Sequence, residues 1–132
     1  MTMKKRTSRQ SESDAALARR FGRTINMSAA QIRRWHADPR SKLASFAHIR
    51  AELPLLARMK ETAPSRWTPT MWNKARRALA FVERHEAQMQ AQGMRYGTGR
   101  LHVTPKRIIA LMNWGRVTPG VSLARQLRDD RR

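Results

Sequence analysis

Thr68-Pro69 opens the pattern that most narrows what this chain can become. The threonine hydroxyl can cap a helix, and the proline then sits at the first helical position, where its missing N–H costs nothing. From there MWNKARRALAFVERHEAQMQAQ runs to Gly93 with no further breaker, a helix of roughly 24 residues. Trp72, Ala75, Leu79, Val82 and Met89 recur along it as an apolar stripe. Lys74, Arg77, Phe81 and Arg84 form a second stripe, basic with one ring in it.

The flanking sequence supplies shorter helices. Ser13 can cap DAALARRF, which Gly22 is expected to stop. Ser28 and Gln31 have the spacing of a capping box, Ile32 and Trp35 share a face, and Asp38-Pro39 ends that helix. Leu43, Phe46, Ala47 and Arg50 carry helical spacing, and Pro54 must kink their helix or open a new one. Leu53, Leu56 and Met59 continue the apolar side. Thr104-Pro105 repeats the cap-and-proline device ahead of KRIIALMNW, which Gly115 closes, with Ile108, Leu111 and Met112 inward. No stretch shows strand-like alternation of useful length. The expected fold is all-α, a small bundle of four or five helices. A disordered basic arm over 1–12 precedes one helical domain over 13–119, and a weak terminal helix with a charged tail covers 120–132.

Charge decides the class of partner. The chain carries a net charge of +19, and 22 of its 28 basic residues are arginine against nine acids. Glu83 and Glu86 have no Lys or Arg four residues on, so helical pairing does not neutralise them. An excess this large seeks an anionic partner, and a phosphate backbone is the commonest one. The absence of cysteine removes disulfides and thiolate chemistry and fits a reducing cytosol. No apolar run approaches the ~20 residues of a membrane span, and the basic, polar start is not expected to be a secretory signal. A cytoplasmic location is expected, nucleoid-associated if the partner is DNA.

Particular residues follow from this. Lys4, Lys5 and Arg6 would engage phosphates from the arm, while Arg33, Arg34, Lys74, Arg76, Arg77, Arg84, Lys106 and Arg107 would present a folded basic surface. The plainer explanation of each pair is a solvated helix face. Tyr96, between Arg95 and Arg100 in a glycine-containing loop, is the best candidate to stack on an unpaired base. Trp35, Trp72 and Trp114 read as core, and Trp67 as a hydrophobic staple ahead of the long helix. A helix-turn-helix over KRIIALMNW–GRVTPG–VSLARQLR would place Ser122, Arg125, Gln126 and Arg128 at base edges, but its link is longer than the usual turn.

Catalysis finds little footing. His36, His48, His85 and His102 lack metal-ligand spacing, no paired carboxylates suit a metal nuclease, and GTGR lacks the continuation of a phosphate loop. No cofactor or metal is expected.

Arg107, Ile109, Ala110, Leu111, Asn113, Trp114 and Gly115 make up an R-x-I-A-L-x-N-W-G motif. In this the chain resembles small, uncharacterised bacterial and phage-associated proteins. Their companion pattern is matched by Arg66-Trp67, Ala75, Arg77, Ala78, Leu79, Phe81 and Arg84, and SKLASF is a third matching piece. The resemblance spans about residues 28–119, implies one compact module, and brings no assigned activity. The resulting expectation is a non-enzymatic nucleic-acid-binding protein, DNA ahead of RNA, with no membrane partner. The alternative is an interaction or assembly protein whose basic surface docks an acidic protein or ribonucleoprotein.

Overall fold

The computed structural model describes residues 12–95 and 104–119, and no strand occurs among them. Local capping rules set most helix starts. Helix α1 (Asp14–Thr24) begins where Ser13 Oγ accepts from Ala16 N at 3.1 Å. Helix α2 (Ala29–Ala37) carries both halves of the capping box, Gln31 N to Ser28 Oγ at 3.1 Å and Ser28 N to Gln31 Oε1 at 2.9 Å. A 3-10 turn over Pro39–Leu43 leads to the single turn α3 (Ala47–Arg50), and Pro54 lies in the first turn of α4 (Leu53–Glu61). After a second 3-10 turn (Pro64–Arg66), helix α5 runs over Pro69–Arg95 for 27 residues. Helix α6 (Pro105–Met112) starts where Thr104 Oγ1 accepts from Arg107 N. Setting aside the one-turn α3, five helices remain among the described residues, within the expected four or five.

Two expectations change. Gly22 does not stop α1, which continues to Thr24; glycine weakens a helix interior by about 1 kcal/mol but does not forbid it. The Leu43–Arg50 segment is not one helix. Ser45 takes a left-handed φ of 72°, uncommon without glycine, and breaks the chain between the 3-10 turn and α3. Leu43 and Phe46, read as core positions, are 64% and 76% exposed.

A single cluster joins α1, α2, α4, α5 and α6, with Phe21, Ile32, Trp35, Leu56, Leu79 and Leu111 among its buried members. Trp67 packs edge-on against Trp72 at 4.8 Å and Phe21 at 5.3 Å, the staple that fixes entry to α5. The residues after α6 are sewn to the link between α1 and α2. Met27 N bonds Gly115 O, and the Asn26 side chain pairs with both backbone groups of Val117 at 2.8 Å. Gly115 adopts φ +84°, and a Cβ there would stand 2.6 Å from Ile25 Cγ2, so glycine is required.

Asn113 is the polar centre of this core. It is fully buried, and its Oδ1 accepts from Trp35 Nε1 at 2.8 Å. Its Nδ2 donates to Ser41 O, Ala44 O and Ser45 Oγ at 3.0–3.2 Å. Those two carbonyls are the acceptors that a helix through 41–48 would have used for its own i to i+4 bonds. The latch therefore replaces the helix that the apolar spacing predicts. The Asn113-Trp114 step of the motif is structural at Asn113.

Candidate nucleic-acid interface

A groove of about 480 Å³ opens between α3, α5 and α6, lined among others by Phe46, Phe81, His85, Lys106, Arg107 and Trp114. Phe81 stacks on Trp114 with centroids 5.1 Å apart and planes at 21°, and His85 lies 4.2 Å from Phe81. Across α5 and α6, the Arg107 guanidinium reaches Gln92 and Gln88 at 3.4 and 3.5 Å, weak neutral contacts that leave its charge intact.

His85 reports the local field. Burial, then the charges of Arg107 and Arg84, hold its pKa below the ordinary histidine value, and its Nδ1 has no partner among the described residues. Arg107 and His85 thus line the groove together with the exposed Lys106, and Arg84 precedes His85 on α5 with its side chain exposed. No acidic side chain lines the groove among the described residues.

Most acids of the described residues are paired away from the groove, and except for Glu12 and Asp38 their partners come from distant segments. Arg20 meets Glu12 and Glu83, Arg33 forks onto Glu61 at 2.7 Å, and Arg40 pairs with Asp38. Arg116 holds Glu86 at 2.8 Å and also caps Thr24 O, while Thr118 Oγ1 donates to the same carboxylate. Glu83 and Glu86, unpaired by the local helical rule, therefore both have cations. The Arg33 fork holds the Glu61 carboxyl below its usual range. Arg19, Arg23, Arg34, Arg76, Arg84 and Lys106 stay exposed with no acidic partner among the described residues.

Lys74 departs most from expectation. It is fully buried, so it presents nothing to a phosphate. Its Nζ stands 2.7 Å from Glu52 Oε1 and 3.9 Å from the centroid of Trp114. The carboxylate contact is close but poorly aligned for a hydrogen bond, and Nζ has no other acceptor among the described residues. Burial lowers the Lys74 pKa, while Glu52 pushes it back up. For Glu52, burial raises the carboxyl, but Lys74 and Arg77 outweigh burial and hold it low.

Of the sequence candidates, the structure brings Lys106 and Arg107 to the groove, Arg84 is exposed next to His85 on α5, and Arg77 lies about two turns before Arg84, partly neutralised by Glu52 at 2.9 Å. Arg76 is exposed beside Asn73, Arg34 is exposed on α2, and Arg33 is committed to Glu61. Lys4, Lys5, Arg6, Tyr96 and Arg100 lie outside the described residues, as do the Arg95 side chain, 101–103 and the segment 120–132. Sequence reasoning missed Phe46, His85 and Trp114 as groove residues. The available signal was Phe81 set within the basic stripe of α5.

No protein-family model, curated protein or solved structure matches the chain. Among the described residues, no helix is long and apolar enough to cross a membrane, and no group of three His, Cys, Asp or Glu side chains is placed to hold a metal ion.

Proposed function

We propose that this is a non-enzymatic nucleic-acid-binding protein that grips its polymer, DNA in the first instance, mainly through backbone phosphates. One observation carries the reading: Lys106 and Arg107 line a groove with no acid among the described residues, while Glu12, Asp38, Glu52, Glu61, Glu83 and Glu86 are held in ion pairs elsewhere. Uncompensated cations raise the local potential, and phosphates relieve it with release of counterions.

Fluorescence anisotropy with labelled duplex, single-stranded DNA and structured RNA over a salt series tests this, with heparin as competitor. Affinity should fall linearly in log–log form, and replacing Arg84 and Lys106 by Gln together should reduce the slope by about two. An unchanged slope and affinity would refute the assignment of these cations. Equal retention of heparin and nucleic acid would reduce the binding to generic attraction.

Exposed Leu43 and Phe46 favour one second reading, an assembly protein docked on an acidic partner. Free DNA would displace a nucleic-acid binder from its target but not a protein held by these apolar side chains.

A further inference from the structure

Phosphates account for the cations of the groove but not for its rings. Phe81 and Trp114 are stacked on its floor, His85 lies against Phe81, and Phe46 stands at its edge, 76% exposed. Phe46 has one ring contact, a parallel stack on His48 at 5.8 Å. An aromatic surface left in water is unfavourable at about 25 cal/mol per Å², and a ligand with a flat face removes that penalty. Nucleobases have such faces, and their stacking on aromatic side chains tolerates sequence. At about 480 Å³ the groove falls within the usual range for small-molecule sites, on the scale of a nucleotide. Lys106 and Arg107 share the lining with the rings, so an anion bound there would lie beside a stacked base.

We propose that this groove seats one unpaired nucleotide, its base on the exposed ring of Phe46 and its phosphate on Lys106 and Arg107. The inference rests on the nucleic-acid reading above and narrows it to single-stranded stretches. A duplex can reach the cations, but its bases hide their faces in the stack and cannot cover the rings without being flipped out.

The experiment uses the full chain with four labelled probes: oligo-dT, oligo-U of equal length, a hairpin duplex, and a dT-length strand whose sugars lack bases. The wild type should bind single strands tighter than duplex, and the base-free strand should lose that advantage. Phe46→Ala should weaken single-strand binding about tenfold while leaving duplex binding and the helical circular dichroism signal unchanged. Comparison of dT with U separates a DNA from an RNA source. Equal binding of based and base-free strands, or an unaltered single-strand affinity in Phe46→Ala, would overturn the groove assignment and leave phosphate binding standing. The latter result is also what a groove built for an acidic helix would give. A wild type that binds none of the four probes would overturn the nucleic-acid reading itself, and this inference with it.

Discussion

Removing the Asn113 side chain should unseat the centre of the fold. In Asn113→Ala, Trp35 Nε1 loses its acceptor at 2.8 Å, and Ser41 O and Ala44 O lose their shared donor. All three residues are at most 4% exposed, so water does not readily replace the lost partners. Each buried group left unsatisfied costs about 1–3 kcal/mol. Allowing for partial relaxation, a total of about 3–5 kcal/mol follows, against about 5–15 kcal/mol for an entire domain. At roughly 4 °C per kcal/mol for a domain of this size, the melting temperature should drop by about 12–20 °C.

Urea unfolding followed by tryptophan fluorescence and circular dichroism measures the change, with an unaltered m value confirming that stability alone moved. Trp35→Phe removes the indole donor and part of the ring volume but leaves Ser41 O and Ala44 O their shared donor, and should cost less. The double variant should be less destabilised than the sum of the two, because both singles break the same bond. A loss below about 1 kcal/mol in Asn113→Ala would reduce Asn113 to an ordinary helix-end residue and refute the argument that its amide holds the 41–45 segment out of a helix.

Three further expectations concern single sites. Gly115→Ala meets both the left-handed φ and the 2.6 Å approach to Ile25, and should destabilise by about 2 kcal/mol or more. Gly22→Ala has open space and a helical backbone, and should stabilise by about 0.5–1 kcal/mol in the same urea assay. Lys74→Met replaces a buried ammonium by an apolar side chain of similar length, and should leave stability within about 1 kcal/mol and nucleic-acid affinity unchanged; a large affinity loss would return Lys74 to the binding surface. His85 has its folded pKa below the unfolded value. Between those two values the unfolded chain takes up the proton first, so this residue's contribution makes stability fall as pH drops through that window. A polyanion on Arg84 and Arg107 should move the His85 titration upward, read from its ring proton resonances by NMR.

The legible parts of the fold are those written within four or five residues. Ser13, the Ser28–Gln31 box, the Trp67–Trp72 staple and the two Thr-Pro starts are local geometry, and each appears where the sequence places it. What escaped depends on partners far along the chain. The 41–48 segment has helical spacing, but its carbonyls are taken by an amide 69 and 72 residues away. Lys74 looks like a surface cation on a helical wheel because neither Glu52 nor Trp114 is near it in sequence. Glu83 and Glu86 looked unpaired because the helical rule searches four residues ahead, whereas Arg20 and Arg116 approach from other segments.

That same long-range pairing sharpens the surface. A chain with nine acids and 28 basic residues can place its carboxylates in two ways. Spread evenly, they would dilute the positive field everywhere. Here Glu52 sits against Lys74 and Arg77, and Glu86 against Arg116 and Thr118, so both mainly serve to hold elements together. Neither lines the groove. Lys106 and Arg107 line the groove together with Phe81 and Phe46, so cations and rings share one site. On the reading proposed above, charge alone would draw any polyanion over the whole molecule, and cations set beside rings would make that attraction selective, because only a ligand carrying both an anion and a free flat face would satisfy the two together.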